Sequence, residues 1–560
     1  MKLNFTGFLM VALAFVQAAS TSPTYEDRHE VHRYLTEEEA ECVLYLKVAE
    51  DHKTWTCRFM KQQADELAIP DTMEIEGVPE EFFESSVSGG SVMKFRDGAF
   101  VKQTPVASKS LGVMVISGRS EGSVEIRAMS NDDPRHYRNN RRTQGNFRTL
   151  VVRVIDSMNQ EPESVETLRN EIFNDSFNMK TQYSACSKGQ MTIEEAGIGD
   201  VKLDVVADKN IDIGSLAKAA AEKKYGGSVG LEKKYDFVMF CMPHDIVWAG
   251  YAVINSFDSY YGHPWCNEPH TQLHEIGHNL GLGHSSKDDD VYGDKASIMG
   301  GPSFSDDDGP AQCFNPAHNW KLRWYEKQQL SIKPMELSSP RTFVLNGIDD
   351  YKMNGSSNGE LVILRLDYYG TEDQGWDYYV GYNRATGVNS GTLEAPDTVT
   401  VILKPTNGQY GFSDYTTRWN LPVGESFTIT APAAGLPDVY IDFKSVQNGG
   451  KDAIVVISNS GSGGPTPTMA PVSTPEPTPS FTSTSSSTST LSCEDEPHFK
   501  LKGDNKKNCN WVAKGKKKLN KKKKIYKKIQ KKCKRKVSGK KKVWDYCRET
   551  CSLVDMGPCA

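Results

Sequence analysis

The chain has 560 residues and a formal net charge of −6, with 66 Lys and Arg against 72 Asp and Glu. This length exceeds what a single hydrophobic core usually supports, so we expect several domains. The net charge hides two oppositely charged parts. Residues 493–560 carry 23 basic against 7 acidic side chains, whereas the rest of the chain carries 43 basic against 65 acidic side chains. The acidic balance of the larger part argues against nucleic acid as a partner.

The amino terminus has the pattern of a secretory signal peptide. Met1 and Lys2 precede a mostly apolar run over residues 5–16, and the small residue Ala18 follows. This pattern predicts a signal peptide over residues 1–18, with a retained membrane anchor as the alternative. Twelve cysteines, an even number, suit an oxidising compartment. We therefore expect a secreted protein that is extracellular or associated with the cell wall.

Residues 19–142 contain short alternating stretches and two cysteines. Cys42 and Cys57 flank residues 43–48, which alternate like a strand, and this predicts a disulfide-closed hairpin. The region ends at the basic segment 138–142, which contains both an R-x-x-R pattern and a dibasic pair. Such a segment suits a processing protease, and a solvated loop is the alternative.

Between residues 143 and 330 the sequence alternates between strand-like and helix-like patterns. Runs of apolar residues predict buried strands, and apolar residues at helical spacing predict helices between them. This pattern predicts an α+β domain built around a mixed twisted sheet. We expect strands at 147–155, 235–241 and 249–254 and helices at 163–174 and 213–224.

The most informative stretch of the chain is T-Q-L-H-E-I-G-H-N-L-G-L-G-H-S at residues 271–285. His274 and His278 are separated by four residues, so a helix places both on one face where they can hold one metal ion. Glu275 lies beside the first histidine, placed to act on a metal-bound water rather than on the metal. A buried helix that merely carries histidines is the alternative.

Two later residues of the same stretch complete the pattern H-E-x-x-H-x-x-G-x-x-H. Gly281 allows the chain to leave the helix and turn back, because glycine tolerates positive φ. His284 then returns as a third ligand. Three imidazoles leave a fourth position for water, which is how catalytic zinc sites are built.

The residues after this helix carry a resemblance to a known family. The segment Y-G-D-K-A-S-I-M-G at 292–300 contains Met299, and the segment C-F-N-P-A-H-N-W-K-L-R-W-Y follows at 313–325. Together with the histidine pattern they resemble the gametolysin family of secreted algal peptidases, which are metzincin zinc peptidases. The resemblance covers roughly residues 147–460.

The resemblance implies a metzincin-like catalytic domain over residues 143–330 and a mechanism. It implies that His274, His278 and His284 hold one catalytic Zn²⁺, that Glu275 is the general base, and that Met299 forms the Met-turn. It further implies that the strand before the zinc helix adds the substrate backbone to the sheet. We assign that role to Gly250, Tyr251 and Ala252, with an ordinary buried strand as the alternative. Some metzincins add a tyrosine near the Met-turn, for which Tyr292 and Tyr325 are candidates.

A protease made for export has to be kept inactive, so residues 19–142 are expected to be a propeptide. Cys57 is available as a cysteine switch, in which a thiolate occupies the open zinc position. No recognisable switch motif surrounds it, and a plain disulfide with Cys42 is the alternative. Cys186, Cys241, Cys266 and Cys313 form a second even set. A bond between Cys266 and Cys313 would fix the zinc helix to the later helix, although pairing cannot be deduced from sequence alone.

Three further segments follow the catalytic part. Residues 331–459 contain short strands separated by Gly, Asn and Pro, and predict an all-β, sandwich-like domain that either packs against the catalytic domain or binds substrate. Residues 460–492 are rich in Pro, Ser and Thr and predict a linker. Residues 493–560 form a small basic module with six cysteines, which needs disulfides because its core is small.

The lysine runs of the last module predict binding to anionic polysaccharide, cell wall or a membrane surface, with a solubilising tail as the alternative. The acidic clusters 288–290 and 306–308 could hold calcium, but neither has an EF-hand pattern, so solvated loops are the default. His244, His263 and His270 are expected to be surface or loop histidines. The sequons at Asn174 and Asn354 are candidate glycosylation sites.

The sequence therefore predicts a secreted zinc endopeptidase that hydrolyses peptide bonds of extracellular, cell-wall or matrix proteins. The alternative is an extracellular adhesion or binding protein with a vestigial peptidase domain, directed to its target by the cationic module. A decayed site would be expected to have lost a ligand or the glutamate, and this chain retains His274, Glu275, His278 and His284.

Overall fold

The computed structural model describes residues 31–35, 41–49, 53–136 and 142–460, the last two ranges with short gaps, and a few positions between 533 and 542. The chain divides into two compact units, Met1–Pro467 and Thr468–Ala560. The predicted signal peptide, the linker, most of the basic segment 138–142 and almost all of the cationic module lie outside the described residues, as do Asn354 and the acidic cluster 306–308. The predicted domain boundaries remain predictions.

The amino-terminal region, residues 31–136, consists mainly of strands. Cys42 is bonded to Cys57, and the two strands that carry them pair antiparallel, as predicted for a disulfide-closed hairpin. Cys57 therefore has no thiol to offer a metal, so the cysteine-switch hypothesis is wrong for this residue. The elements are β1 (Val31–Leu35), β2 (Glu41–Ala49), β3 (Lys53–Arg58), α1 (Lys61–Leu67), β4 (Thr72–Glu76), β5 (Ser91–Phe95), β6 (Ala99–Gln103), β7 (Gly112–Val115) and β8 (Val124–Ala128).

The next part of the chain forms a five-stranded sheet with helices on both faces. Four of its strands are parallel and the fifth, β12, runs antiparallel, in the order β12-β13-β11-β9-β10. Strands buried on both faces usually read as near-continuous apolar runs, which is why the runs near Val151 and Phe237 were predictable. The strands are β9 (Gly145–Ile155), β10 (Met191–Lys202), β11 (Phe237–Cys241), β12 (Gly250–Val253) and β13 (Asp258–Tyr261).

The helices of this part flank the two faces of the sheet. One face packs against α3 and α6 through a core that contains Leu273 and Ile276, and the other face packs against α4 through Leu216. The predicted helices 163–174 and 213–224 are shorter as α-helices, because each ends in a π-helical turn. The α-helices are α2 (Val165–Arg169), α3 (Met179–Cys186), α4 (Ile213–Ala221), α5 (Leu231–Lys234) and α6 (Pro269–Asn279).

Strand β12 has a second neighbour that the sequence did not predict. Strand β2 of the amino-terminal region pairs with it antiparallel, with Ala49 opposite Tyr251, Val48 opposite Ala252 and Lys47 opposite Val253. The sheet therefore continues across this junction to include thirteen strands. The strand predicted to receive substrate is covered along its outer edge in this chain.

Residues 284–459 supply two further sheets that share one core. The six-stranded sheet has the order β14-β20-β19-β18-β17-β15, and the four-stranded sheet has the order β16-β23-β22-β21. Their elements are β14 (His284–Ser286), α7 (Pro316–Leu322), β15 (Gln329–Ile332), β16 (Arg341–Asn346), β17 (Ile363–Gly370), β18 (Gly375–Asn383), β19 (Thr398–Pro405), β20 (Tyr415–Leu421), β21 (Ser426–Ile429), β22 (Val439–Gln447) and β23 (Asp452–Asn459).

These β-sheets are continuous with the preceding part of the chain. Side chains from both sheets, among them Leu364, Val401, Phe443 and Val455, share one buried cluster, as a sandwich-like packing requires. Strand β14 precedes residue 330 and yet pairs with β20. The chain therefore shows no gap in packing at the predicted boundary between residues 330 and 331.

The remaining disulfides differ from the predicted pairing. Cys186 is bonded to Cys313 and Cys241 to Cys266, with Cα–Cα distances of 5.7 Å and 5.5 Å. The suggested bond between Cys266 and Cys313 is therefore wrong. Cys241 ends β11 and lies beside the short 3₁₀ turn that carries Cys266, whereas Cys186 ends α3 near the loop before α7.

In the second unit, the described residues include β24 (Lys536–Ser538), which pairs antiparallel with β25 (Lys541–Lys542). Cys533, just before them, is disulfide-bonded. Across the described part of the chain, no helix has both the length and the apolar character needed to span a membrane.

One buried ion pair joins the amino-terminal region to the five-stranded sheet. The Arg58 guanidinium lies 3.2 Å from Asp258, whose second oxygen lies 3.4 Å from Lys218. Burial alone would raise the pKa of Asp258, but Lys218 and Arg58, with hydrogen bonds from two hydroxyl groups, hold it well below its ordinary value. The carboxylate therefore remains charged at neutral pH inside the protein.

We expect Arg58→Met to destabilise the docking of the amino-terminal region. Removing one partner of a buried pair costs about 3 kcal/mol, near the lower end of the usual range here because Asp258 retains Lys218. Denaturant unfolding of the full chain and limited proteolysis of residues 31–136 measure this effect. The control is Arg127→Met, which breaks an exposed pair with Glu41 and should cost less than about 1 kcal/mol. Equal losses in both variants would contradict the anchoring role of Arg58.

Candidate active site

Helix α6 presents two histidines to a cleft and its apolar residues to the core. Pro269 occupies its first turn, where the missing N–H costs nothing. Leu273 and Ile276 are fully buried against the sheet, and this fixes which side of the helix His274 and His278 occupy. The two imidazole rings lie 4.8 Å apart, as the four-residue spacing predicts.

The chain turns away from helix α6 at position 281, which requires glycine for two physical reasons. Its φ is +85°, a conformation that side chains rarely adopt, and its N–H donates to the carbonyl of His278. A Cβ at this position would also lie 2.1 Å from the Oδ1 atom of Asn255. The turn returns the chain to the cleft, where the ring of His284 lies 5.4 Å from His274 and 4.9 Å from His278.

The three histidines converge on one point. Each offers one nitrogen, and these nitrogens lie within 4.8 Å of one another. Within the described residues, this is the one group of histidine, cysteine or acidic side chains arranged to hold a metal ion. The acidic cluster 288–290 is described and does not form such a group, so calcium there gains no support.

Hydrogen bonds set the orientation of the first two imidazoles. The Nδ1 atom of His274 lies 2.9 Å from the carbonyl of Ile298, and that of His278 lies 2.9 Å from the carbonyl of Leu282. Because a carbonyl only accepts, each Nδ1 must carry the hydrogen, and each Nε2 then presents its lone pair. The Nε2 atom of His284 is buried without a hydrogen-bond partner among the described residues, as expected of a side chain that ligates a metal.

Burial keeps these imidazoles neutral. Desolvation lowers the pKa of His274 to about 4, although its hydrogen bond to the Ile298 carbonyl opposes the shift. Desolvation and the neighbouring histidines lower the pKa of His278 and of His284 well below the ordinary value, and the charge of Lys53 lowers both further. Neutral imidazole is the form that binds metal ions, so the site is prepared for a metal at neutral pH.

Glu275 lies in the same cleft, between the histidines and β12. Its side chain is 5% exposed, and a Cβ built on Gly250 would lie 2.7 Å from its Oε1 atom. A side chain at position 250 would therefore push the carboxylate away. The carboxylate and the backbone of β12 thus approach each other closely because residue 250 is glycine.

Met299 packs against the helix between the two histidines. It is fully buried, and a Cβ on Gly277 would lie 2.5 Å from its sulfur. The carbonyl of the preceding residue, Ile298, orients His274, and the carbonyl of Met299 accepts from the N–H of Ser285. The turn that carries Met299 therefore contacts the first ligand and the residue after the third.

Arg418, which the sequence did not suggest, also supports the third histidine, His284. His284 begins β14, which pairs parallel with β20 at Tyr415. Asp294 accepts a hydrogen bond of 2.6 Å from Ser285, and its other oxygen lies 2.5 Å from the guanidinium of Arg418 in β20. Arg418 and Asp294 are both almost completely buried. No local pattern connects Arg418 to the motif, because it lies far along the chain.

Two histidines and two tyrosines considered in the sequence analysis differ in whether they line the cleft. His270 is 3% exposed and lines the cleft, so its prediction as a surface residue is wrong. Tyr292 also lines the cleft, with its ring 4.2 Å from that of His284. Tyr325 is fully buried in the core and donates to the carbonyl of Cys186, so it is not a site tyrosine. His263 lies elsewhere, paired with Glu163.

The predicted substrate strand adjoins the histidines, and its three residues differ in their surroundings. Gly250 faces the cleft beside Glu275, whereas Tyr251 packs on the opposite face of the sheet in the cluster of α4. Ala252 is fully buried opposite Val48 of β2. Strand β12 therefore lies beside the histidines, where a peptide could be aligned. In this chain β2 covers the edge that such a peptide would use.

The comparison with protein families concerns the same residues. The family model described as gametolysin peptidase M11 matches residues 163–346, which include the three histidines, the Met299 turn and α7. Residues 163–346 of the chain therefore belong to the gametolysin peptidase family. Because this is a metallopeptidase family, the chain is a metallopeptidase. No curated protein matches the chain at a significant level.

A gametolysin-family peptidase requires a metal, and the residues present fit one. Three neutral imidazoles converge, two of them have Nδ1 hydrogen-bonded to carbonyls, and the third has an unpartnered Nε2. Neutral nitrogen ligands of this kind suit zinc. His274, His278 and His284 would hold the ion, and Glu275 stands beside them without belonging to the set.

We expect Arg418→Met to weaken metal binding. The pKa of Asp294 is raised by burial, a shift that Arg418 opposes, so the variant removes the charge that keeps this carboxylate ionised beside Ser285. Loss of such a supporting contact typically lowers metal affinity by about 10- to 100-fold. Competition with a chromogenic chelator measures the affinity. Arg384→Met is the matched control, because it breaks the pair with Asp350 in the same β region away from His284. Unchanged affinity in Arg418→Met would contradict the supporting role.

Proposed function

We propose that this gametolysin-family chain is a secreted zinc endopeptidase that hydrolyses peptide bonds of extracellular, cell-wall or matrix proteins. The observation that carries the proposal is the convergence of three neutral, buried histidines beside a carboxylate in one cleft. The signal-like residues 1–18 and the even number of cysteines support secretion. The family match supports peptide hydrolysis.

A zinc ion bound by the three histidines would act as a Lewis acid towards the scissile carbonyl and would lower the pKa of a water molecule in its open position towards about 7. Glu275 accepts the proton of the attacking water and later delivers it to the leaving amine. Its position beside Gly250 places this proton transfer next to a peptide aligned on β12. Tyr292, in the same cleft, is placed to donate a hydrogen bond to the substrate.

The cleft restricts access of bulk water to the reacting groups. Glu275 and the three histidines are each no more than 7% exposed. Burial strengthens the interaction of a carboxylate with a developing charge, because the local dielectric is low. The chain's own contribution to catalysis is therefore to position these groups and to transfer the proton.

The regions outside the peptidase core have roles in this proposal as well. Residues 19–142 act as a propeptide, because β2 covers the outer edge of β12. Cleavage within the basic segment 138–142 would separate them from the peptidase. The cationic residues 493–560 direct the enzyme to anionic polysaccharide, cell wall or a membrane surface through their excess of lysine.

We expect Glu275→Gln to abolish turnover and to leave metal binding intact. The amide cannot accept the proton, and loss of a general base typically costs about 100- to 10,000-fold in rate. Casein cleavage after separation of the amino-terminal region, together with the zinc content, measures both quantities. Glu268→Gln is the control, since Glu268 begins the same helix and does not line the cleft. Retained cleavage by Glu275→Gln would refute its role as base.

We further expect removal of the metal to abolish casein cleavage reversibly. Dialysis against a chelator should give inactive protein with unchanged far-ultraviolet circular dichroism, because the site residues are already held by hydrogen bonds to carbonyls. Addition of one equivalent of Zn²⁺ should restore activity, whereas Ca²⁺ should not. Full activity in the metal-free protein would contradict zinc catalysis.

A further inference from the structure

Strand β2 lies where an extended substrate would lie. It continues the sheet beside β12 through Lys47, Val48 and Ala49. Val48 lines the same cleft as the three histidines and Glu275, and the next strand, β3, begins at Lys53, whose charge acts on His278 and His284. The amino-terminal region thus enters the active-site cleft by its backbone and by its side chains.

The direction of β2 orders its residues relative to the catalytic carboxylate. The strand runs antiparallel to β12, from Lys47 opposite Val253 to Ala49 opposite Tyr251. Gly250, the next residue of β12, lies against Glu275. An extended peptide that runs in the direction of β2 would therefore run towards Glu275. Lys47 lies on the amino-terminal side of the position opposite Gly250.

Alternation along the strand gives Lys47 and Val48 different surroundings. Val48 faces the cleft and α6, so Lys47 faces the opposite side of the sheet, where α4 packs. The Lys47 Nζ atom lies 4.4 Å from the centre of the Tyr251 ring and 2.8 Å from a carboxylate oxygen of Glu74. The side chain is 15% exposed, so its ammonium is held in a nearly closed pocket.

Charge complementarity in this pocket favours a cation. Burial lowers the pKa of Lys47, but Tyr251, Asp212 and Glu74 outweigh that effect and raise it above the ordinary value. Tyr251 and Asp212 belong to the peptidase part of the chain, whereas Glu74 belongs to the amino-terminal region and leaves with it. The peptidase alone therefore keeps the Tyr251 ring at this position, together with the negative charge of Asp212 that acts on it.

We propose that an extended substrate replaces β2 on β12, and that Tyr251 and Asp212 form a subsite for a lysine or arginine side chain on the amino side of the cleaved bond. This inference rests on the proposed peptidase function and adds a substrate class to it. An ammonium or guanidinium group stacks on the Tyr251 ring, and the negative charge of Asp212 acts on it as it acts on Lys47. The Lys47 side chain occupies the subsite until the amino-terminal region departs.

Asp212 can be neutralised without loss of its structural role. It is the N-cap of α4, where its side chain accepts from the N–H of Ser215. Asparagine caps helices as well as aspartate does, so Asp212→Asn removes the charge and keeps the cap. Asp204→Asn is the matched control, because Asp204 is an exposed residue of the same segment and loses the same charge.

The test uses the zinc-loaded full chain after cleavage within residues 138–142 and separation of the amino-terminal region. Substrates are neutral peptides in which a single lysine, or norleucine in its place, moves through successive positions on the amino side of the cleaved bond. We expect one position to favour lysine by about tenfold or more in kcat/KM. In Asp212→Asn the ratio of lysine to norleucine at that position should fall towards one, while Asp204→Asn should keep it.

Two results would overturn the subsite. One is the absence of any position that favours lysine; the other is an unchanged lysine-to-norleucine ratio in Asp212→Asn. The uncut chain should cleave the best peptide at least about tenfold more slowly than the cut chain, and equal rates would overturn the occupancy of β12 by β2. Failure to cleave casein and every peptide would instead refute the proposed function itself.

Discussion

The third histidine of the cluster, His284, is the residue whose position depends most on the rest of the chain. His274 and His278 are fixed by one helix, but His284 has to be brought back to them by chain that is no longer helical. Its backbone is held by parallel pairing of β14 with β20, and Arg418 of β20 neutralises the buried Asp294 that binds Ser285. The β-sandwich region therefore contributes to the metal site, so a peptidase domain that ended near residue 330 would lack a strand that holds its third ligand.

The sequence predicted the local part of this site because a helix converts spacing into geometry. The four-residue interval of His274 and His278, and the positive φ of Gly281, follow from chain properties that act within one or two turns. The contribution of Arg418 could not be predicted, since strand pairing joins residues that have no fixed separation in sequence. His270 was misjudged for a related reason: its burial depends on the cleft wall.

The apolar strands were predictable and the polar ones were not. Strand β11 and the second half of β9 are buried and mainly apolar. Strand β13 is equally buried, but it has the sequence Asp258-Ser259-Tyr260-Tyr261. Its polar groups are satisfied inside the protein, as Asp258 binds Lys218, Ser256 and Tyr260. Such a strand resembles a loop in composition. It is recognisable only when its partners are known, and one of those partners, Arg58, belongs to the amino-terminal region.

The ion pair between Arg58 and Asp258 constrains how the enzyme can be activated. Because the pKa of Asp258 is held well below its ordinary value in the folded chain, its stabilising contribution is present above the ordinary range and is lost only as the pH falls to the lowered value. Mild acidification therefore leaves this contact intact. The backbone pairing between β2 and β12 itself involves no titrating side chain. We therefore infer that release of the amino-terminal region follows from cutting the chain, after which the separated strands can dissociate and β12 becomes an edge.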